Sequence, residues 1–351
     1  MSIQRRNTIV RGPAIVKVTS YTAPLTQNGS PVAHTYTFRT KSDVVFTPET
    51  RVFDVESSEL GKIDQRASEL LNTAVFTPVG VVDADGVGIL WPHLAKLPGQ
   101  SLFGDYDMEV EVIPVAGGRG VKLWNAAVTK MPDIFISSTK TQIGEVTLRG
   151  IIDDDYDWGE DNHVSFGDWD TPTLAAISPS GIPTCSPIVA WGSGMSDIKT
   201  ADGVSISFDL QTQDETEDEV GVYDITVTDL KATARFTPVA GFDLDELSDI
   251  LHRAQGRRRG GSVRRDNLVV TSMYAGGLVV TVYNAALLSA PMTFGATAKR
   301  FGELTFEGAR GTGNAVADVA RVVANHHLPK GKTEAESDGE GEVGEGSGTG
   351  T

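Results

Sequence analysis

The chain has 351 residues, of which 40% are hydrophobic and 7% aromatic, so it has enough apolar side chains to form compact cores. Its 47 acidic residues outnumber 30 basic ones, and the net charge of −17 argues against a surface that neutralises nucleic-acid phosphates. The single cysteine, Cys185, excludes an internal disulfide and is compatible with a reducing cytoplasm.

The N-terminal segment does not have the pattern of a signal peptide, and the longest uncharged stretch does not have the pattern of a membrane span. Arg5 and Arg6 near the start are not followed by an apolar stretch of signal-peptide length. The long uncharged stretch at residues 267–298 is interrupted by polar residues, Pro291 and a Gly276-Gly277 pair. It therefore predicts two strands joined by a glycine turn, and no membrane span.

An internal repeat is the most informative feature of the sequence. Four blocks of the first half recur in the same order in the second half, 158–160 positions later. Four matched blocks over about seventy residues indicate two tandem copies of one domain. The matched blocks are residues 74–79 and 234–239, 117–118 and 276–277, 125–127 and 284–286, and 144–148 and 302–306.

Most local patterns in each copy are typical of β-strands, because apolar and polar residues alternate with a period of two. The alternation is clearest at 109–112, 145–149, 204–210 and 225–228, which predicts half-buried antiparallel strands. We expect a mainly β protein with two tandem β-sandwich or barrel domains, each with a flanking helix. The predicted domains are 1–152 and 171–325, with an acidic linker at 153–170 and a disordered Gly- and Glu-rich tail at 326–351.

Three helices are predicted in chain order. The first, at residues 90–97, has Pro92 near its start and Pro98-Gly99 at its end. The second follows a capping box of Asp243 and Glu246, has an apolar stripe within 244–251, and ends before Gly256. The third is a C-terminal helix at 314–325, whose valines at 316, 319 and 323 fall on one side.

No motif predicts catalysis or a bound cofactor. Asp153, Asp155 and Asp157 resemble the start of a calcium loop, but Trp158 and Val164 occupy the places where an EF-hand requires Gly and Glu. The six histidines have no spacing that places two on one helix face as metal ligands. We therefore expect no enzyme activity, no metal site and no cofactor.

A cluster of arginines stands out against the acidic background. An exposed loop, a nucleic-acid contact and a contact with acidic loops of a neighbouring copy are all compatible with it. The acidic clusters of the same chain favour the third interpretation. The candidate contact residues are Arg253, Arg257, Arg258, Arg259, Arg264 and Arg265 on one side and Asp214, Glu215, Glu217, Asp218 and Glu219 on the other.

An ordered series of short blocks runs through the first copy. The blocks are Phe-Asp-Val at 53–55, Gly-Lys-Ile-Asp at 61–64, Phe-Thr-Pro-Val at 76–79, Leu-Trp-Pro at 90–92, Asn-Ala-Ala-Val-Thr-Lys-Met-Pro at 125–132, Ser-Thr-Lys-Thr at 138–141 and Ile-Gly-Glu-Val-Thr at 143–147. In this order they resemble the tail tube (major tail) proteins of long-tailed, non-contractile bacteriophages. The resemblance covers residues 1–150 and, in degenerate form, the second copy.

The resemblance implies a small β-sandwich or barrel whose sheets join around a ring, and rings that stack into a hollow tube. Most members have one domain and form hexameric rings, so a duplicated chain implies a pseudo-hexameric homotrimer. The implied partners are further copies of the chain and the tail terminator, tape-measure and tail-tip proteins. Double-stranded DNA would pass through without specific binding. The implied location is the virion tail, after assembly in the host cytoplasm.

Two further expectations concern the surface of such a tube. Acidic strand positions should face the lumen and repel phosphate, and the candidates are Glu109, Glu111, Glu145 and Glu303. The acidic segments 56–69 and 214–224 are predicted to be long inter-strand arms that reach a neighbouring subunit or ring.

Two alternatives to a phage tail tube remain open at this point. One is a tube subunit of a related injection machine. The other is a two-domain carbohydrate-binding or hydrolytic β protein that uses its carboxylates and five tryptophans as sugar platforms.

Overall fold

The computed structural model describes residues 14–22, 32–41, 43–57, 59, 61–80, 82, 84–103, 108–115, 119–137, 141–151, 164–167, 187–192, 195–217, 221–240, 263–272, 277–294, 299–310 and 318–324. This part of the chain is mainly β, with twenty strands and one helix, which confirms the prediction of a mainly β fold. All of the strand pairs within it are antiparallel, as the period-two alternation predicts.

The first half contains eleven strands and the helix. They are β1 (Ala14–Thr22), β2 (Val32–Thr40), β3 (Val45–Ser57), β4 (Gly61–Phe76), β5 (Pro78–Val79), α1 (Ala84–Leu90), β6 (Met108–Pro114), β7 (Gly120–Lys130), β8 (Ile134–Ile136), β9 (Thr141–Ile143), β10 (Val146–Gly150) and β11 (Val164–Gly167).

The second half contains nine strands. They are β12 (Ile188–Trp191), β13 (Met195–Glu217), β14 (Gly221–Ala240), β15 (Asp266–Thr271), β16 (Leu278–Ser289), β17 (Met292–Phe294), β18 (Lys299–Phe301), β19 (Leu304–Glu307) and β20 (Ala320–Ala324). β15 and β16 are the two strands predicted on either side of the glycine pair at 276–277.

The strand pairings of each half close on themselves. In the first half the order β4, β10, β7, β6, β1 and β2 is followed by pairing of β2 with β5, which continues β4. In the second half the order β14, β19, β16, β15 and β12 is closed by pairing of β12 with β13. Because β2 with β3, and β4 with β5, correspond to the single long strands β13 and β14, each half forms a six-stranded barrel.

The hairpins β3–β4 and β13–β14 have the same register at an offset of 160 residues. Every pair of the first hairpin, from Val45–Val75 at the base to Ser57–Gly61 at the tip, recurs in the second at positions 160 higher. The bulges after residues 51 and 55 also recur, after 211 and 215. Bulges are specific local irregularities, so the sequence repeat is also a structural repeat.

The apolar cores of the two barrels are continuous. One cluster of buried side chains includes Phe76 and Leu148 of the first half and Phe236 and Phe306 of the second. Phe76 and Phe236 are equivalent in the repeat, and each is 2% exposed. Alternation in burial along the strands, as on β10, places one face inside and one outside.

The position of the first predicted helix is wrong. The expected helix was at 90–97, whereas α1 ends at Leu90 and a turn follows it. Gly86 and Gly88 disfavour a helix on propensity, but the burial of Val87, Ile89 and Leu90 against the barrel outweighs this cost. Gly86 lies so close to the neighbouring side chains that an added Cβ would be 2.6 Å from Val82 Cγ1.

The predicted C-terminal helix at 314–325 is also wrong where the structure describes it. Residues 320–324 form β20, which pairs with β16. Ala320, Val322 and Ala324 are buried and alternate with the exposed Arg321 and Val323, which is the strand pattern. The valine and alanine spacing was compatible with both periods, and pairing with β16 selected the strand.

Other predictions fall wholly or partly outside the described residues. Residues 164–167 of the predicted linker form β11 and pair with β7, so that part of the segment belongs to the first sheet. The rest of the linker, the second predicted helix at 244–251 and the tail at 326–351 lie outside the described residues.

Candidate assembly interface

The two halves are joined by a strand pair that crosses the repeat boundary. β8 lies in the first half of the sequence, but it pairs with β13 of the second barrel, with Ile134 opposite Ile206 and Ile136 opposite Val204. All four side chains are 0% exposed. The hairpin β8–β9 thus extends the second sheet by two strands, an arrangement we call the internal joint.

A glycine permits the close approach at the end of the internal joint. Gly203 has a φ of 101°, in the region that favours glycine. A Cβ placed there would be 2.3 Å from the Ile136 carbonyl oxygen and 2.8 Å from Ser137 Cα. Only glycine allows the β8 backbone to reach β13 at this point.

Side chains next to the internal joint strengthen it. The Trp91 ring packs against Phe208 of β13 with ring centroids 6.4 Å apart. The Trp91 indole nitrogen donates a hydrogen bond of 2.9 Å to the Pro132 carbonyl, just before β8. The Val319 amide donates a hydrogen bond of 3.2 Å to the Leu94 carbonyl, which connects the segment before β20 to the first half.

The distal part of each long hairpin is an arm. We call residues 49–69 of β3–β4 the first arm and residues 209–229 of β13–β14 the second arm. They contain the predicted acidic segments 56–69 and 214–224, whose described residues, apart from Glu59, lie in the strands of these hairpins. The two arms have the same backbone pairing but different surroundings.

The second arm lies on the first half of its own chain. The Gly99 amide donates to the Val227 carbonyl at 2.7 Å, the Val227 amide to the Gln100 carbonyl at 2.9 Å, and the Leu102 amide to the Ile225 carbonyl at 2.8 Å. A second apolar cluster fills the contact. Its members are Leu102, Ala127 and Ile151 of the first half and Val222, Ile225 and Val227 of the second arm.

An ion pair fixes the second arm at its outer strand. Arg149 Nη1 donates to both carboxylate oxygens of Asp214, at 2.9 and 3.0 Å. Among the described residues, the partner of Asp214 is thus an arginine of β10. Asp214 and the apolar side chains of the second arm thus contact the same chain, and the expected reach of segment 214–224 to another subunit stays a prediction.

The first arm is exposed at the residues whose side chains the structure describes, except for the half-buried Val55. Val52 is 48% exposed and Ile63 is 54% exposed. Asp54 and Lys62 form an ion pair of 2.6 Å within the arm itself. In the described part of the chain, the strands of this arm pair only with each other.

Two of the candidate lumen residues lie in a neutralised patch. On the outer face of β1, β6 and β7, Lys122 is 2.7 Å from Glu109 and 3.8 Å from Glu111. Lys17 is 3.0 Å from Glu111, and the Tyr21 hydroxyl donates to Glu109 at 3.0 Å. Two carboxylates therefore face two ammonium groups, so this patch has no excess negative charge.

The other two candidates occupy equivalent places after the short hairpins. Glu145 is exposed and pairs with Lys130 at 3.2 Å, and Glu303 is exposed. Glu145 and Glu303 follow Gly144 and Gly302, which are matched in the repeat. Their exposure leaves both carboxylates in solvent at the edge of each barrel.

The described members of the arginine cluster contact the second barrel. Arg264 donates to Asp266 at 3.1 and 3.2 Å and lies 5.0 Å from the Trp191 ring. Arg265 donates to the Asn284 carbonyl at 3.0 Å. Arg253, Arg257, Arg258 and Arg259 lie outside the described residues, as do Asp218 and Glu219.

The remaining acidic candidates lie on the second arm. Glu215 accepts a hydrogen bond from the Thr226 hydroxyl at 3.1 Å, across the hairpin. Glu217 is exposed next to the hairpin tip. The structure thus does not bring the described arginines and acids of the predicted contact together within one chain.

Sequence reasoning missed the internal joint. It also missed the surface of the first half that the second arm covers, which is formed by Leu102, Ala127 and Ile151 and which we call the bed. β8 has three consecutive apolar residues, which show no period, and its partner strand begins about sixty residues later in the chain. The signal that could have found the second contact was the difference between the repeats. Val222 and Ile225 stand where the first copy has Lys62 and Gln65.

Comparison with known proteins adds no family. No family model matches the chain, and no curated protein matches it. Among the described residues, no helix is both long and apolar enough to cross a membrane. The same residues contain no group of three or more His, Cys, Asp or Glu side chains placed to hold a metal ion.

Proposed function

We propose that the chain is the structural protein of a phage tail tube, in which copies join into rings and the rings stack into a hollow conduit for DNA. The observation that carries the proposal is the internal joint. One repeat completes the sheet of the next through a strand pair, and this head-to-tail contact can be repeated indefinitely. The joint forms once within a chain. Among the described strands, the second repeat therefore has an unused hairpin equivalent to β8–β9, the donor hairpin, and the first repeat has an unused strand edge equivalent to that of β13, the acceptor edge.

The repeat supports a ring in which the number of domains is twice the number of chains. The resemblance of residues 1–150 to tail tube proteins supplies the number six for the domains, and therefore three for the chains. Identical hairpin registers in the two halves are what equivalent positions around a ring require. We propose that the tail terminator, tape-measure and tail-tip proteins are the partners of the assembled tube in the virion.

The charge distribution refines the proposed conduit. The chain as a whole has a charge of −17, which would repel DNA phosphates. The patch of Glu109 and Glu111 is balanced by Lys17 and Lys122, so a lumen built on that face would be close to neutral. Weak attraction or weak repulsion both allow DNA to slide, whereas a basic lining would retain it.

Electron microscopy of the concentrated purified protein, with mass measurement of isolated particles, tests the proposal. We expect hollow rings or tubes, and rings with the mass of three chains. Particles that stay monomeric at every concentration and salt condition would overturn the tube function. Rings of six chains would retain the tube and reject the trimer.

Hydrogen exchange gives a second readout of the same assembly. In the monomer the first arm should exchange its amide protons faster than the second arm, because the described part of the chain shows a covering apolar cluster on the second arm alone. On assembly the first arm should become protected if it reaches a neighbouring subunit or ring. Unchanged exchange in assembled particles would reject that role for the first arm.

A further inference from the structure

The hairpin β17–β18 is the second-half equivalent of β8–β9. Each of its three residue pairs, from Met292–Phe301 to Phe294–Lys299, matches a pair of β8–β9 at an offset of 158. The closing hydrogen bond also matches, from Gly144 to the Asp133 carbonyl and from Gly302 to the Pro291 carbonyl, both at 2.7 Å. The two hairpins are therefore the same structural unit.

The acceptor edge of the internal joint has an equivalent as well. Residues 204–206 of β13, which receive β8, correspond at the repeat offset to residues 44–46, that is, to the first two residues of β3 and the residue before them. β3 is the terminal strand of its sheet order and pairs only with β4 among the described residues. In the same part of the chain, β17 pairs only with β18.

Burial differs between the internal joint and these two open ends. Ile134 is 0% exposed in the joint, whereas its equivalent, Met292, is 38% exposed. Val45, at the centre of the open edge, is 54% exposed, but its equivalent Ser205 is also exposed in the joint, so the difference in burial lies on the other face of the strand. Val44 and Phe46 are half-buried, whereas their equivalents Val204 and Ile206 are 0% exposed. Both open ends therefore present apolar side chains at the positions that the joint buries.

An open strand edge with apolar side chains is a surface for pairing with another strand. The donor hairpin and the acceptor edge lie at opposite ends of the tandem repeat, so one chain uses each of them once. The occupant that fits the acceptor edge is the segment already seen on its equivalent within the chain. This argument selects a second copy of the chain over an unrelated peptide.

We propose that β17 of one chain adds to β3 of the next chain as an antiparallel strand, in the register of the internal joint. Met292 then lies opposite Phe46, Thr293 opposite Val45, and Phe294 opposite Val44. The inference rests on the proposed self-assembly and specifies its interface. The contact is head-to-tail, and each chain donates one hairpin and accepts one.

Engineered disulfides test the register. In a Cys185→Ser background, Val45→Cys combined with Thr293→Cys places one thiol on each open end, at residues exposed enough to tolerate the change. Under mild oxidation we expect most of the protein to form covalent dimers and trimers on non-reducing gels, together with rings by electron microscopy.

Two matched variants serve as controls. Phe135→Cys with Ser205→Cys is the equivalent pair of the internal joint. It should form a disulfide within one chain, so that the protein stays at the position of a single chain on non-reducing gels. Val45→Cys with Leu288→Cys pairs the same edge with an exposed residue outside β17, and it should keep its thiols free. The first control shows that this pair geometry accepts a disulfide.

The outcomes separate the register from the function. Rings that form without cross-linking of residues 45 and 293, while residues 135 and 205 do cross-link, would overturn the proposed pairing and leave the tube function standing. Cross-linking of the pair at residues 45 and 288 to the same extent would also overturn the pairing, because the disulfides would then arise from random collisions between chains and not from one strand register. Absence of both rings and cross-links would overturn the pairing and the tube function together.

Discussion

The two arms have one backbone pattern and two different environments. The second arm covers Leu102, Ala127 and Ile151 of the first half, whereas most side chains described on the first arm are exposed. The side chains follow this difference: Val222 is 4% exposed, and its equivalent in the first arm is the exposed Lys62. The pairing register is therefore a property of the hairpin itself. The polarity of the side chains on each arm depends on whether the arm contacts protein or solvent.

The comparison also indicates how duplication shaped the chain. If both arms lay on equivalent surfaces, the positions that contact the bed would be apolar in both copies. Arg149, which holds Asp214 of the second arm, corresponds to Glu307 in the second half, and Asp214 corresponds to Asp54. These equivalents have like charges, so the first arm does not repeat this ion pair on a neighbouring second half.

The largest expected effect distinguishes isoleucines on the two arms. Ile225→Ala should lower the free energy of unfolding by about 2–5 kcal/mol, because Ile225 is fully buried and its removal leaves a cavity. Ile63→Ala should change it by less than about 0.5 kcal/mol, because Ile63 is 54% exposed. Urea unfolding of the monomeric protein measures both. Equal losses would mean that the first arm is also docked.

Acidification should lower the free energy of unfolding, because the buried His93 is neutral in the folded chain. Burial, and next the charge of Lys96, lower the pKa of His93 to about 4, although its Nε2–H group bonds to the Val128 carbonyl at 2.8 Å. The unfolded chain has an ordinary histidine pKa of about 6.5, so between these values it binds the extra proton and the folded chain does not.

Stability should therefore fall as the pH decreases from about 6.5 to about 4, by about 3 kcal/mol in total. Thermal melts across this range measure the loss. In His93→Gln, which has no titrating group at this position, the pH dependence of the melting temperature should become flatter. An unchanged pH dependence in His93→Gln would assign the loss to other groups.

The ion pairs on the two arms should differ next. Asp214→Ala should cost about 1.5–3 kcal/mol, because it leaves the half-buried Arg149 without its two hydrogen bonds. Asp54→Ala should cost about 0–1 kcal/mol, because the Asp54–Lys62 pair is exposed. Chemical denaturation of both variants, at low and at high salt, makes the comparison. A larger loss for Asp54→Ala would reverse the assignment of which arm is anchored.

The smallest effects per residue are expected from the arginine cluster. Arg257, Arg258 and Arg259 correspond at the repeat offset to residues 97–99, next to the segment that binds the second arm. An equivalent contact between chains would place these arginines near the acidic first arm of a neighbour. Each exposed pair contributes only about 0–1 kcal/mol, so several must act together.

Replacing these three arginines with Ser should leave the monomer stable and slow tube growth, with a smaller difference at high salt. Light scattering during assembly measures the rate. The control is Lys130→Ser with Lys231→Ser, which removes two exposed charges elsewhere and should not alter growth. Growth that is equal in the arginine variant and the wild type across the salt series would reject the contact.

The sequence predicted what depends on local periodicity. Alternation at 109–112 and 204–210 located β6 and β13, and the glycine pair at 276–277 separated β15 from β16. The repeat implied equivalent hairpins, and their registers agree pair by pair. These features follow from residues close together in the chain or from direct comparison of the two copies.

Features that depend on distant contacts could not be predicted in the same way. Lys17 neutralises Glu111 across 94 positions of sequence, so the lumen candidates were selected without their partners. Helix α1 contains two glycines and forms because its other residues are buried. β20 depends on pairing with β16, since its apolar spacing alone is ambiguous.

The shared register of the two hairpins also matters while the chain folds. Because the two hairpins have the same register and the same bulges, a strand of one copy is compatible with the partner strand of the other copy. Pairing of β3 with β14 before the correct hairpins close would be a kinetic trap. Local closure of each hairpin across only three residues, 58–60 or 218–220, is faster than this exchange. The mispaired species is then destabilised by the difference between the copies. If β4 took the place of β14, Lys62 and Gln65 would replace Val222 and Ile225 and would bring a lysine to the apolar bed.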